Sequence, residues 1–480
     1  MEYLVERVNV LFPILSGSVE DIQYSISREL KETSGGKINP VFLWITKTFR
    51  TRNKIRYTTE DYIKNLVEKY PLDPSYVDAY YRALKYEGIN ITEVARVNMV
   101  ETPHVPLENL FKQAIIYLYI CKKYLIDNSI DCVVFLTGRG LFQRSLGIMA
   151  RRLNIPTVYL CDALIPGNTL HIWDCENHAS NDLKNIKLAE LTDKAKEELN
   201  DFLENQKNLK CISESPYDST SFAKKMKSFF IILYHRFFVA DKIFGNKGAF
   251  GLAKDEIMRK IRPIFARRYY NATSAEKLGK YVFLPYQIYY DLLLPLMWTE
   301  YTNIEYLTDI CVNALPEGYV LVVKEHPHFK GGTTIGELKR ISKKKNVVLA
   351  PINANTQNLM RQSSAVIVLC SNIGWQALMY HKPVIVLNST SDKNFRFYYD
   401  DYGITFNVDD PSNLSQVMRT ALESKIDRDK VDSFLYHVIM KQHTGSEILC
   451  PVNYNNMNEG DNYRIVAECI LKEMEKKSVV

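Results

Sequence analysis

Residues Val322 to Gly332 read VVKEHPHFKGG, an apolar, β-branched run that breaks into Lys324, Glu325, His326, Pro327 and His328 before a glycine pair. So short and apolar a run suits a strand buried on both faces. Polar residues directly after it suit the carboxyl edge of a parallel sheet, where open α/β sheets bind ligands. A lysine, a histidine and a loop of backbone amides together fit an anion, phosphate being the commonest. Pro327 fixes its own φ and biases His326 towards an extended backbone, which holds the imidazole in place. The plainer alternative is a histidine that only caps a turn.

A second segment weighs against that alternative. Ser363 to Asn388 reads SSAVIVLCSNIGWQALMYHKPVIVLN. Its pattern predicts a strand over Ala365–Leu369, a small polar turn at Ser371, Asn372 and Gly374, a helix over Trp375–Tyr380 and a strand over Pro383–Leu387. Hydroxyl, amide and glycine just before a helix start make a pocket of N–H groups supported by the helix dipole. Two such edges in one parallel sheet converge on one ligand.

The same alternation recurs along the 480 residues, a length that suits two domains better than one. Strands are expected at Val8–Phe12, Val41–Ile45, Cys132–Leu136 and Thr157–Leu160. Helices are expected at Val19–Glu32, Thr59–Tyr70, Leu107–Asp127 and Phe142–Leu153. From about Leu188 to Ala275 strand signals nearly vanish. They resume at Val282–Leu284, Val320–Val323, Val347–Leu349, Ala365–Leu369, Val384–Leu387 and Ile404–Val408, and a helix is expected over Asn462–Lys477. The reading is therefore α/β, with two Rossmann-like doubly wound domains joined by a helical connector. The boundaries are 1–187 for the first domain and 188–280 for a basic connector packed on it. The second domain is 281–455, and 456–480 is a terminal helix.

Charge singles out the connector. The net charge is only +6, yet Phe222 to Lys280 holds 14 Lys/Arg against 4 Asp/Glu. With FFIILYHRFF inside it, this segment suits either an amphipathic helix on anionic lipid or a solvated interdomain helix. No nucleic-acid partner is expected. Nine cysteines without a Cys-x-x-Cys pair fit small core residues in a reducing compartment. The acids ahead of the first apolar run argue against a secretory leader, and no run reaches the ~20 residues of a bilayer span. A cytoplasmic protein, peripheral at the inner face of a membrane, is the expectation.

The motifs, taken in order, resemble the capsule polysaccharide biosynthesis family. LVVKEHPHFKGG is similar to its Lys-x-His-Pro strand end, and SNIGWQALMYHKPVIV to its Ser/Thr-x-x-Gly-x-Glu-Ala-Leu helix start and Lys-Pro-Val strand. YVFLPYQIYYDLLL resembles its Pro-Leu-Gln-x-x-x-Asp segment, and LPEG its Leu-Pro-x-Gly lead-in. Phe135–Asn177 resembles the partner-domain stretch that ends in Pro-x-Thr-Leu and an Asp. The matching blocks lie between roughly Cys132 and Asp410. The resemblance implies a GT-B fold, two domains facing a cleft, and transfer of a sugar from a nucleotide donor, CMP-Kdo in several members, to a surface glycan. Two carboxylates of the pattern are missing, replaced by Gln376 and by Cys161 beside Asp162.

Each candidate residue then has a role and a plainer alternative. His326 contacts the donor phosphate and offsets charge on the departing nucleotide; Lys324 helps neutralise it or is simply solvated. Pro327 shapes that edge, and His328 stands behind it. Ser371, Asn372 and Gly374 supply hydroxyl, amide and close backbone approach, against an ordinary N-cap. Gln376 binds a ribose hydroxyl or is an exposed helix residue. Gln287 and Asp291 follow a strand at the domain junction, although Asp291 is equally a helix-start carboxylate. Arg139, in Thr-Gly-Arg-Gly, pairs with a sugar carboxylate. Asp162 and Asp174 are the carboxylates placed as base or nucleophile at the anomeric carbon, with Asn168 and Thr169 lining the same loop.

The pairs Asp400-Asp401 and Asp409-Asp410 lack the Asp-x-Asp spacing of nucleotide-sugar metal sites, so no metal is expected. The co-substrate is a nucleotide sugar, with a cytidine base the leading choice, and the acceptor a glycan or glycolipid. Two other readings stay open. One is a teichoic-acid-type polyol-phosphate transferase. The other is a non-catalytic assembly protein that has lost the two carboxylates.

Overall fold

The computed structural model describes residues 7–14, 17–44, 63–101, 105–136, 138–162, 169–173, 186–208, 257–259, 261–271, 278–287, 294, 298–371, 373–388, 399, 402–441, 443–444, 462–477 and 479. These elements fall into two compact units.

The first unit begins with strands β1 (Val8–Ile14) and β2 (Ile38–Trp44), joined by a helix over Gly17–Thr33. A hairpin of β3 (Lys85–Tyr86) and β4 (Ile89–Asn90) follows, and its two loop residues, Glu87 and Gly88, both have positive φ. That geometry suits a two-residue hairpin loop, because its twist matches that of the strands. Next come β5 (Cys132–Leu136), β6 (Thr157–Asp162) and β7 (Thr169–Trp173). Strands β2, β1, β5 and β6 run parallel, whereas β7 pairs antiparallel with β6. Alternation along these strands divides the core. Val10, Phe12, Val134, Leu136, Val158 and Leu160 pack with Ile22, Ile26 and Leu30 of the first helix. Phe135 and Tyr159 point the other way, stacked at 4.8 Å, beneath the helix Leu141–Arg152. Both faces are covered, as the apolar strands require.

The second unit holds β8 (Tyr281–Pro285), β9 (Val320–Lys324), β10 (Val347–Ala350), β11 (Ala365–Val368), β12 (Val384–Leu387) and β13 (Phe406–Val408). All are parallel, in the spatial order β10-β9-β8-β11-β12-β13. Counted within the unit this order is 3-2-1-4-5-6, the doubly wound arrangement whose reversal lies between β8 and β11. The helices between these strands carry local start signals. Asn303 caps Ile304–Asn313, and Thr334 with Glu337 forms a capping box at Ile335–Ser342. Trp298 is fully buried and its indole N–H donates to Leu387 O at 2.8 Å, tying a loop to the end of β12. Trp375 is buried too, stacked on Phe434 and edge-on to Tyr399.

Two expected boundaries are corrected. The described part of the 188–280 connector packs on the second unit, not the first. Its helix Asp193–Asn208 lies against Arg428–Lys441, and Ser433 Oγ is bonded to both Ala189 N and Ala189 O. Leu199 and Leu203 supply the apolar reason, since both are buried there. The second correction concerns the end of the chain. After Lys441 it returns to the first unit, where β14 (His443–Thr444) pairs antiparallel with β7. The helix Asn462–Lys476 then sends Val466, Ala467, Ile470 and Met474 into the core beside Ile22 and Ile26. Their helical spacing presents one apolar stripe, which has nowhere else to be buried. Among the described residues no helix is long and apolar enough to cross a membrane. Residues 209–256, including the aromatic run of the connector, lie outside the described residues.

Because the terminal helix completes the first core, Ile470→Ala should destabilise that unit by about 2–5 kcal/mol. Amide exchange should accelerate in β1 and β5 and stay unchanged in β8 and β11. Equal acceleration in both units would refute the placement.

Candidate functional site

The strand order of the second unit reverses between β8 and β11, the position at which open α/β sheets bind their ligands. Gln287, just past β8, reaches across to the end of β11. Its Nε2 donates to Cys370 Sγ at 3.3 Å, and the Cys370 backbone N–H donates to Gln287 Oε1 at 3.4 Å. One amide thus ties the exits of the two strands at the switch point. Cys370 is the residue that sequence reasoning passed over; its only signal was its place directly before Ser371.

Beside this bridge stands the end of β9. The strand stops at Lys324, and residues Pro327–Phe329 form a 3-10 turn closed by Phe329 N donating to His326 O at 2.9 Å. His326 is therefore beyond the strand, partly exposed, at the mouth of the turn. Lys324 is only 3 % exposed, with its ammonium 3.4 Å from Glu325 O, so the solvated-lysine alternative is ruled out. Pro327 opens the 3-10 turn, as its fixed φ suits. His328 follows in the same turn, and its side chain lies outside the described set.

The glycine pair differs from expectation. It is a packing device rather than an open loop of amides. A Cβ on Gly331 would stand 1.9 Å from Arg259 O, and one on Gly332 2.0 Å from the Phe329 ring. Arg262 donates to both Gly331 O and Gly332 O, and the Arg259 guanidinium lies over Phe329. Arg259 and Arg262 thus pack against the loop that follows the histidine turn.

At the third edge, Ser371 Oγ accepts from Ile373 N at 3.2 Å and Ser371 O from Gly374 N at 3.0 Å. Ser371 therefore acts as the cap of the helix Ile373–Met379. Gly374 is needed for close approach, since a Cβ there would meet Tyr399 Oη at 2.5 Å and Val368 at 3.3 Å. Gln376 is partly exposed in the first turn of that helix. Asn372 and Asp291 lie outside the described residues.

In the first unit the parallel strands run β2-β1-β5-β6, so the order reverses between β1 and β5. Arg139 sits in the turn after β5 and is 7 % exposed. Asp162 ends β6 and pairs in register with Leu170 of β7, one residue from Thr169. The backbone therefore brings Asp162 and Thr169 to the same end of that antiparallel pair. Their side chains, together with Asn168 and Asp174, lie outside the described set. Of the acidic pairs, Asp409 accepts from Asn388 Nδ2 at 2.8 Å, and Asp410 caps a short turn by accepting from Ser412 N. Both have structural work, while Asp400 and Asp401 are not described. Among the described residues no three His, Cys, Asp or Glu gather in a way that would hold a metal ion.

Residues 246–409 match the sequence profile described as "Capsule polysaccharide biosynthesis protein". Over that span, about a third of its length, the chain is similar to the capsule polysaccharide biosynthesis family. The matched segment contains the Gln287, Lys324-to-Pro327 and Ser371-to-Gln376 edges. Among curated proteins no sequence matches. Among solved structures, the beta Kdo 2,7 transferase KpsC of Thermosulfurimonas dismutans is 13% identical, with a TM-score of 0.31 over 65% of this chain and 78% of that one. A UDP co-structure of S. aureus MnaA is 10% identical, with a TM-score of 0.32 over 98% of each chain. A UDP-GlcNAc 2-epimerase of Methanocaldococcus jannaschii, in complex with UDP-GlcNAc and UDP, is 14% identical. Its TM-score is 0.30 over 90% of this chain and 99% of that one.

One buried acid went unassigned in the sequence. Glu325 is 2 % exposed, and the Tyr270 hydroxyl donates to its Oε2 at 2.6 Å. Burial pushes its carboxyl pKa up; hydrogen bonds from Thr333 and Tyr270 and the Lys324 charge only partly offset this. A raised folded pKa means that the neutral acid favours the folded state. The stabilisation is complete below the ordinary value of 4.5 and is lost as pH rises through the folded pKa. Glu325→Gln keeps the shape and removes the titration. Its urea midpoint should therefore exceed that of the wild type at pH 8 by more than at pH 5. A constant difference, or a mutant weaker at pH 8, would contradict this.

Proposed function

We propose that the protein is a glycosyltransferase of capsule or surface polysaccharide synthesis, taking its sugar from a nucleotide donor held at the carboxyl edge of β8, β9 and β11. The observation that carries this reading is the switch point itself. Gln287 and Cys370 bridge it, the histidine turn flanks it, and the capsule-family match covers it. In this reading His326 donates an N–H to the donor phosphate and offsets negative charge as the nucleotide departs. Lys324, buried below, adds a fixed positive charge whose field is weakly screened. Gln376 reaches a ribose hydroxyl, and Asp162 or Asp174 serves the anomeric carbon as base or nucleophile. Protein cations meet the phosphate charge, and no metal is invoked. A cytidine donor, Kdo-like in its sugar, and a glycan or glycolipid acceptor complete the proposal.

A cytidine nucleotide should therefore raise the melting temperature, and His326→Ala should remove that gain without unfolding the chain. Ligand at tenfold its Kd is worth about 1.4 kcal/mol by mass action, enough to read. An undiminished shift in the variant would leave His326 a structural residue. Catalysis has a separate test. Replacing the responsible aspartate, Asp162 or Asp174, by Asn should abolish turnover with donor affinity nearly unchanged, the mark of an interaction needed in the transition state.

Cys161 and Gln376 stand where the family pattern has carboxylates, and they favour a second reading in which the protein binds a nucleotide sugar without turning it over. Wild-type protein that binds donor but shows no turnover with any acceptor extract would support that reading. Retention of turnover by both Asn variants would overturn the aspartate assignment instead.

A further inference from the structure

A short helical segment ahead of β8 carries its faces reversed. Residues 257–259 and 261–266 are helical and lead into the 3-10 turn Arg267–Tyr269. A surface helix ordinarily turns its apolar stripe inward and its charges outward. Here Arg262 donates to Gly331 O and Gly332 O, the Arg259 guanidinium lies over the Phe329 ring, and Ala266 is buried. Those residues face the rest of the second unit. Ile257, Ile261, Ile264 and Phe265 face the other way and are 40–67 % exposed. Their spacing of i, i+4, i+7 and i+8 makes one continuous stripe.

The chain beyond the stripe is fixed to the sheet. Asn271 N donates to Leu349 O at 3.0 Å, and Asn271 Oδ1 accepts from Leu349 N at 2.6 Å, so the segment runs on as a partner of the edge strand β10. The Tyr270 hydroxyl meets Glu325 Oε2 at 2.6 Å. Exposure of the stripe is therefore set by the fold. Apolar residues scattered singly over a surface need no explanation. Four of the ten large exposed hydrophobics among the described residues, gathered on one helical face, do.

Charge selects the partner. Arg267 and Arg268 follow the stripe and are both exposed. From Ile257 to Lys280 the sequence holds seven Lys/Arg against one Asp/Glu. An apolar stripe beside cations suits the interface of an anionic bilayer, where the apolar side chains enter the acyl boundary and the guanidinium groups meet lipid phosphates. A second copy of the chain fits less well, because a symmetric contact would bring the same cations together. Four side chains, none more than 67 % exposed, also fall short of the ~800 Å² that each partner of a stable protein interface buries.

We propose that Ile257–Arg268 is a docking surface for anionic phospholipid, with Ile264 and Phe265 inserted and Arg267 and Arg268 on the headgroups. From sequence, the run FFIILYHRFF is the candidate for lipid contact; this surface is a different one, packed against the loop that follows the histidine turn. Lipid docking here does not depend on the glycosyltransferase reading.

The full chain is floated with vesicles of phosphatidylcholine alone and of phosphatidylcholine mixed equally with phosphatidylglycerol, at low and at high salt. Wild-type protein should float with the mixed vesicles, poorly with the neutral ones, and less at high salt, because screening shortens the reach of the cations. Ile264→Gln combined with Phe265→Gln removes apolar surface without adding charge, and should weaken mixed-vesicle binding by about tenfold or more. Arg267→Ala combined with Arg268→Ala should weaken it by roughly fivefold per cation and flatten the salt dependence. Both variants should keep the wild-type melting temperature, since the replaced side chains are exposed. The proposal is overturned if the wild type floats with neither vesicle, if it floats equally with both, or if the glutamine variant floats unchanged. A wild type that does not float, with a glutamine variant of lowered melting temperature, would show that the chain itself covers the stripe. A wild type that does not float but forms a dimer that the glutamine variant loses would place a second copy there.

Discussion

A reversal of strand order governs the second unit. Strands are added on one side of β8 as β9 and β10 and on the other as β11, β12 and β13, so the order reverses between β8 and β11. Backbone groups at such a reversal have lost their ladder partners and must find others. Here the Gln287 amide supplies them across to Cys370, while on the other side of β8 Tyr286 N continues the ladder to Lys324 O at 2.8 Å. The same reversal brings the ends of β8, β9 and β11 to one stretch of the sheet edge, where the proposed ligand would meet them. Structure and site share one cause.

The surrounding core supports that edge by close packing rather than by ion pairs. Gly374 lets its helix sit against Tyr399 and Val368, Trp375 fills the space beside Phe434, and Trp298 anchors a loop to Leu387. Ion pairs such as Arg340–Glu305 lie at the surface, where solvent weakens them. Glu325 is the exception, a buried acid beside the histidine turn, kept with the Tyr270 hydroxyl instead of a full counter-ion. The result is a rigid frame around a turn whose histidine remains partly exposed.

The position of the candidate residues was legible because strand ends and helix starts are local events. Lys324, His326, Ser371 and Gln287 follow apolar runs within one to three residues, and all lie at the carboxyl edge of the second sheet. Their detailed roles were less legible. Ser371 proved to be a helix cap, and Gly331 and Gly332 proved to be spaced for Arg259 and Phe329, because both outcomes depend on residues that approach only in the fold. The helices Ile304–Asn313 and Ile335–Ser342 are not among the expected elements, although each has a cap at its start. An apolar strand is a contiguous run, whereas a short amphipathic helix spreads its apolar residues over a longer period and leaves a weaker local signal.

What the sequence determined by itself was the class of each unit: apolar β-branched runs separated by helical stretches leave a parallel α/β sheet as the arrangement that buries them. It also determined which residues stand at strand ends, since that follows from adjacency along the chain. Tertiary structure alone decided which unit each outlying segment joins. The helix Asn462–Lys476 completes the first core and Asp193–Asn208 joins the second, because an apolar stripe is satisfied by whichever complementary surface it meets. The same holds for Glu325, whose burial and partner are long-range outcomes that no local pattern encodes.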